Sequence, residues 1–397
     1  MKKEVAELFI TIMKYKKILK KRIKFGDLII SNKAKKIINK ALDSNFVSGG
    51  HLINELEKEW GKLFGYKYNV AVSNGTDANI AACMTLYDFG AKRGDEIIVP
   101  ALAFAATGNS ILAAGFKPIF VDIKRETLNI DPERIEKKIN PKTVAIMVVH
   151  TMGKPCEMDS IQKIAKKYNL KIIEDCCEAH GAKYKNKFVG QFGDVSTFSY
   201  YAAHIISGAD GGMCSTNNPK IYNVLASLKN HGRKPGSLYF DHIRQGLNFR
   251  VNILPAAIIL GDIKNFWKIF NKRKKNINYL LEKTERLRDF AFFNSEEPYE
   301  ITSPHAFSIT LKDQKYNYKK LYDFLQSNSI ECKRNFGSMP TQHKAFKFLG
   351  HKLGEFPEAE YVGNNGLHLG IHQYLSKGDL DYISDVLYKY FQKFLPL

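Results

Sequence analysis

Apolar residues along this chain gather in short runs of strand length, most of them separated by segments with helical spacing. Residues 33–44 and 52–63 place apolar side chains at three- and four-residue intervals and predict helices. Residues 68–73 predict a strand ending in Asn74-Gly75-Thr76, after which 77–87 resumes the helical period. The runs 96–100, 118–122, 144–150 and 170–175 are compact and apolar, as strands buried on both faces are. This alternation predicts an α/β core, a mostly parallel sheet covered on both faces with ligand groups at strand ends. After Pro255 the character shifts. Residues 256–287 predict one long helix rich in Lys and Asn. A strand at 306–311, a helix at 318–327, a short strand at 366–370 and a closing helix at 380–394 follow. The pattern divides the chain into a basic arm over 1–25, a large domain over 26–255, and the linking helix with a smaller α+β domain over 256–397.

A length of 397 residues accommodates two domains and a sizeable core, and 44% hydrophobic with 25% charged residues is the balance of a soluble globular chain. The net charge of +20 raises the question of nucleic acid. The excess is lysine spread along the whole chain, without a helix-turn-helix, zinc-finger or aromatic RNA-binding pattern. A basic surface of this kind suits an anionic small molecule, and no nucleic-acid partner is expected. The six cysteines show no paired spacing, so neither a metal site nor a disulfide framework is predicted, and a cytoplasmic location is expected. Residues 5–13 form an apolar stretch interrupted by Glu7 and followed by a lysine-rich run. It is too short and too charged to span a bilayer, and it reads as a solvated arm or a basic amphipathic helix.

Three places carry candidate chemistry. Ser73-Asn74-Gly75-Thr76-Asp77-Ala78 joins a strand to a helix; glycine allows close backbone approach, and helix N-terminal amides favour an anion such as phosphate. A simple capped turn has the same residues. Asp175 ends another strand, where a carboxylate can pair with a protonated ring nitrogen or merely cap the strand. Glu178 follows three residues on, Ser199 supplies a hydroxyl, and His204 stands five residues beyond it, as a proton carrier titrating near ~6.5 or as a structural histidine.

Order and context favour the first reading in each case. The succession of phosphate turn, Phe104, Asp175, Ser199 and His204 resembles the DegT/StrS family of nucleotide-sugar aminotransferases. The likeness runs from about Gly26 to the C-terminus and includes Gly94-Asp95-Glu96-Ile97-Ile98-Val99-Pro100, Asp122 with Thr127-Leu128-Asn129-Ile130-Asp131, and Gly246-Leu247-Asn248-Phe249-Arg250. The resemblance implies a type I pyridoxal-phosphate fold, aspartate aminotransferase-like, with a mostly parallel seven-stranded sheet and a smaller C-terminal domain. It implies pyridoxal 5′-phosphate or its pyridoxamine form as cofactor. Gly75, Thr76 and Ser199 would hold the phosphate, Phe104 would stack on the ring, Asp175 would pair with its nitrogen, and Glu178 would lie near it. Asn248 would reach the phosphate of a neighbouring subunit, making a homodimer necessary. Arg244, Arg250, Arg334 and His343 are candidates for contacts to a diphosphate or sugar of the substrate.

His204 departs from the family pattern, which has lysine there. Lysine forms a Schiff base with the cofactor aldehyde, whereas an imidazole cannot. A histidine at this position resembles the family's 3-dehydratase branch, as does the ending Gly370-Ile371-His372-Gln373. That resemblance implies removal of the C3 hydroxyl from a nucleotide-linked 4-keto-6-deoxy sugar, with glutamate as amino donor and ammonia released, in deoxysugar biosynthesis for surface polysaccharide. A related branch carries an iron–sulfur cluster; Cys177 matches one of its cysteine positions but the later ones are missing, so no cluster is expected. Two alternatives stand beside the dehydratase: a transaminase with noncovalently held cofactor that makes a 4-amino sugar, and an inactive cofactor-binding homologue.

Overall fold

The computed structural model describes residues 22–238 and 240–394. Seven strands build the main sheet: β1 (Tyr68–Val72), β2 (Glu96–Pro100), β3 (Lys117–Val121), β4 (Thr143–Val149), β5 (Lys171–Asp175), β6 (Val195–Ser199) and β7 (Gly212–Thr216), in the order β1-β7-β6-β5-β4-β2-β3. Only β7 runs against the others. The C-terminal ends of the parallel strands therefore share one edge, and ligands of open α/β sheets bind there.

Helices α1 (Asn32–Asp43), α2 (His51–Phe64), α3 (Gly75–Thr85), α4 (Ala105–Ala113), α5 (Met158–Lys167) and α6 (Pro219–Leu228) cover the sheet. Side-chain caps start several of them: Ser31 accepts from the Ala34 amide, Asn74 from the Asp77 amide and Asn218 from the Lys220 amide.

The predicted long helix is two. Helix α7 (Ile253–Asp262) ends in a tight turn before α8 (Phe266–Lys283) begins. The two halves answer to different surfaces: α7 packs on α1 and α2, whereas α8 packs on the C-terminal helix. Ile253, Ala256 and Ile259 of α7, with Phe266 and Phe270 from the first turns of α8, share a core with Trp60 of α2 and Phe198 of β6. Ile277 and Leu280 further along α8 join a separate core. The second sheet comprises β8 (Ala291–Phe293), β9 (Ala306–Leu311), β10 (Cys332–Arg334) and β11 (Gly366–Gly370) in the antiparallel order β8-β9-β11-β10. Helices α9 (Tyr318–Ser327), α10 (Pro357–Asn365) and α11 (Lys377–Phe391) accompany it, and α11 opens with a capping box between Ser376 and Asp379.

The arm expected over 1–25 lies mostly outside the described residues. Its last part is packed rather than free: the Ile23 amide donates to the Ser329 carbonyl, and the Phe25 amide donates to Glu331. The two lobes are tied by Asp122, whose carboxylate accepts from the amides of Glu358 and Ala359 at the start of α10. Among the described residues no helix is long and apolar enough to cross a membrane.

Candidate active site

A cavity of about 1170 Å³ opens at the strand ends and is bounded on its far side by β10 and β11. Gly75, Thr76, Phe104, Asp175, Glu178, Ser199, His204, Arg334 and His343 all line it. Thus residues spread over most of the chain meet at one cavity. Arg250 and Asn248 do not line it; the Arg250 guanidinium donates to Asn248 Oδ1 at 2.9 Å on an exposed segment. Arg244 is engaged elsewhere, in an ion pair with Asp88 at 2.8 Å.

Asp175 forms the floor. Its Oδ2 accepts from Asn79 Nδ2 at 2.8 Å and Thr107 Oγ1 at 3.1 Å, and its Oδ1 from the Cys177 amide at 3.1 Å. Thr197 Oγ1 donates to Asn79 Oδ1 at 2.5 Å, which turns the Asn79 amide nitrogen toward the carboxylate. The Cys177 thiol also bonds to this carboxylate, which still lines the cavity where a ligand N–H would meet it. Phe104, at the start of α4, is 63% exposed, which leaves a ring face open to the cavity. Gly75 and Ser199 close the remaining side. A Cβ on Gly75 would lie 2.6 Å from the Ser199 Cβ, so only glycine lets the turn and the serine come together. A backbone turn at a helix start, an open aromatic face and a buried carboxylate on the cavity wall fit a phosphorylated pyridine.

His204 is buried, and burial pushes its pKa well below the usual histidine value, with help from the nearby rings of His305 and His180 and from Arg273 and Lys333. It is therefore neutral at neutral pH, as a base must be. Arg273 fixes the loop behind it: Nη1 donates to the Ala203 carbonyl, Nη2 to the His204 carbonyl, and Nε to Gln373. Burial lowers this guanidinium to about 10, still charged at neutral pH. Glu178 has both carboxylate oxygens engaged by the chain: Oε2 accepts from the Met152 amide at 2.7 Å, and Oε1 lies 3.3 Å from His305 Nε2.

Sequence reasoning missed His305, Arg273 and Lys333. His305 precedes a strand of the second sheet and carries no local motif. Arg273 is one basic residue among many on a lysine-rich helix. Lys333 lies on the cavity wall beside the Phe25 and Tyr201 rings, 4.2 and 5.6 Å from their centres, and with Arg334 and His343 gives that wall its basic character.

The buried histidines carry a pH signature. Burial drives His180 and His368 down to about 3. The unfolded chain takes up these protons near ~6.5 and the folded chain only near 3, so stability falls as pH drops through that window. Each group contributes about 1.4 kcal/mol per pH unit below ~6.5. Urea denaturation at pH 7 and pH 5 will show the loss, and His180→Asn will lessen it by about one group's share.

The architecture is that of the type I pyridoxal-phosphate enzymes. The E. coli GDP-4-keto-6-deoxy-D-mannose-3-dehydratase, solved with bound hydrated PLP, superposes with a TM-score of 0.84 at 29% identity, covering 92% of this chain and 100% of that one. A GDP-4-keto-6-deoxymannose-3-dehydratase solved with a trapped PLP-glutamate geminal diamine superposes with a TM-score of 0.84 at 29% identity. Residues 29–388 match the DegT/DnrJ/EryC1/StrS aminotransferase family, and the chain belongs to it. Among its relatives, a GDP-perosamine synthase of Escherichia coli O157:H7 is 33% identical, over 91% of this chain and 96% of its own length. A GDP-4-keto-6-deoxy-D-mannose 3-dehydratase of Escherichia coli O55:H7 is 32% identical, over 89% and 96%. The chain is thus related to enzymes of both reaction types, with pyridoxal phosphate as the family's cofactor.

Proposed function

We propose that this protein is a 3-dehydratase of a nucleotide-linked 4-keto-6-deoxy sugar, acting in deoxysugar biosynthesis for surface polysaccharide. The observation that carries the reading is His204: an imidazole, buried and neutral, in the cavity that Gly75, Thr76, Phe104, Asp175, Glu178 and Ser199 also line. The bound cofactor supplies an amine for the sugar ketone and a ring that accepts electrons. Asp175 holds the ring nitrogen, Phe104 covers one ring face, and Gly75, Thr76 and Ser199 hold the phosphate. Lys333, Arg334 and His343 suit the diphosphate of the nucleotide. With the cofactor bound, His204 would serve as the base for its C4′ proton and then as the acid toward the departing C3 oxygen.

The overall reaction balances. Glutamate is oxidised to 2-oxoglutarate and ammonia, and its electron pair reduces sugar C3 from an alcohol to a methylene carbon. The C3 oxygen leaves as water, and water supplies the keto oxygen of 2-oxoglutarate. A transaminase is the second reading, supported by the likeness to the perosamine synthase. The fate of nitrogen from ¹⁵N-glutamate separates the two: free ammonia supports dehydration, and label retained on the sugar contradicts it.

We infer a homodimer as the working form. Asn248 lies outside its own chain's cavity, on a segment where Leu238 and Phe240 are 96% and 82% exposed. Such apolar exposure suits a second copy of the chain. Mixing the inactive variants His204→Asn and Asn248→Asp, after dissociation and reassembly, will recover part of the activity if the sites are shared. No recovery would contradict sharing. The six free cysteines suit a reducing compartment, in keeping with a cytoplasmic enzyme.

A further inference from the structure

Behind His204 a second histidine and a carboxylate continue in line. His204 Nδ1 lies 3.4 Å from His305 Nδ1, His305 Nε2 lies 3.3 Å from Glu178 Oε1, and Glu178 Oε2 takes the Met152 amide. Both histidines are buried and the Glu178 side chain is 14% exposed, so water competes little for these contacts.

Unusual backbone supports the line. Met152 and Gly153 both adopt left-handed conformations, with φ of 53° and 81°. For Met152 this is a conformation most side chains avoid. The turn is held by Asn129, whose Oδ1 accepts from the Thr151 amide at 3.0 Å. Its other side receives the segment bearing His305: the Ser303 amide donates to the Gly153 carbonyl at 2.9 Å. A Cβ on Gly153 would fall 2.3 Å from the Ser303 carbonyl oxygen, so the two backbones meet only because residue 153 is glycine.

Hydrogen-bond capacity then decides where the protons are. An ionised carboxylate only accepts, so the ring nitrogen facing Glu178, His305 Nε2, must carry a proton. With a single ring proton on Nε2, His305 has its lone pair on Nδ1. The nitrogen opposite, His204 Nδ1, must donate, which leaves the lone pair of His204 on Nε2. We propose that Glu178 and His305 are positioning residues that set the tautomer of His204, making Nε2 its proton-accepting nitrogen. When Nε2 takes a proton, the Nδ1 proton is shared with His305, and the carboxylate beyond supports the positive charge. The use of Nε2 as a base rests on the dehydratase reading; the tautomer itself does not.

The test is two-bond ¹H–¹⁵N correlation spectroscopy on full-length apoprotein at neutral pH with ¹⁵N-labelled histidine side chains. The His204 ring is identified by its absence from His204→Asn. We expect His204 protonated on Nδ1 in the wild type, moving to an Nε2-protonated or mixed state in Glu178→Leu and His305→Phe. A wild-type His204 protonated on Nε2 overturns the proposal even if neither variant folds. So does an unchanged tautomer in folded variants. In the holoenzyme, His305→Phe will lower kcat for conversion of glutamate to 2-oxoglutarate by roughly 10–100-fold, with KM for glutamate unchanged. His305→Gln, whose amide can both donate to Glu178 and accept from His204, will recover part of it. A KM effect alone would assign His305 to packing and overturn its positioning role. The tautomer as proposed, with an amino sugar as product, would refute the dehydratase and leave this inference standing.

Discussion

His204→Lys will end production of the 3-deoxy sugar. The side chain sits in the cavity with Asp175, Ser199 and Gly75, and its loop is held by Arg273, so a lysine there presents a primary amine to the same ligand. Two properties change together. A neutral imidazole that both accepts and returns a proton becomes an ammonium group or a strongly basic amine. A residue unable to bond covalently to the cofactor aldehyde is replaced by one that can. Loss of a positioned acid–base group costs about 10²–10⁴-fold in rate, and His204→Asn, which offers no exchangeable base, will show that loss alone. His204→Lys will add a cofactor-mass adduct on borohydride reduction, which the wild type will lack at residue 204, and some amino-sugar product. Undiminished 3-deoxy-sugar formation by either variant would remove His204 from the mechanism.

Asp175→Asn will weaken cofactor binding and turnover together. The chain partners of Asp175 are donors, namely Asn79 Nδ2, Thr107 Oγ1 and the amide and thiol of Cys177. Asparagine must turn its own NH₂ group toward at least one of them, and it cannot balance a protonated ring nitrogen. The Thr197 hydroxyl fixes Asn79, so that donor cannot reverse without breaking a second bond. Disrupting a buried charged network costs about 3–5 kcal/mol, corresponding to roughly two to four orders of magnitude in affinity or rate. Titration of the apoprotein with pyridoxal phosphate, followed by absorbance, will show the weaker binding. Wild-type affinity in this variant would mean that Asp175 only caps its strand.

How much of this was legible in the sequence depended on where polar atoms find their partners. Strands β2 to β4 were legible because apolar runs dominate them, and β5 because Ile172-Ile173 follows Leu170 ahead of the strand-end carboxylates. Strands β6 and β7 were not, since Val195-Ser196-Thr197-Phe198-Ser199 and Gly212-Met213-Cys214-Ser215-Thr216 are rich in hydroxyl groups. These are satisfied inside the fold: Ser196 donates to the Ser215 carbonyl, Ser215 to Asn69 and Thr216 to the Asp194 carbonyl. The break before Phe266 was invisible for a related reason, because helical spacing does not reveal that its two halves face different partners. In the site, Asp175, Ser199 and His204 stand at strand ends or in the loop that follows, which a pattern of alternating elements can locate. His305 is 101 residues beyond His204 and meets it only because Gly153 and Ser303 dock two backbones. The resemblance placed Glu178 near the ring; it lines that cavity, and its carboxylate also meets the Met152 amide and His305.

The most direct measurement is the mass of the sugar nucleotide formed when purified protein is incubated with pyridoxal phosphate, glutamate and a panel of 4-keto-6-deoxy nucleotide sugars. A product lighter than its substrate by one oxygen atom, formed with equal amounts of 2-oxoglutarate and ammonia, is the result predicted here. A product with nitrogen in place of the keto oxygen, or glutamate consumed without ammonia, would contradict it.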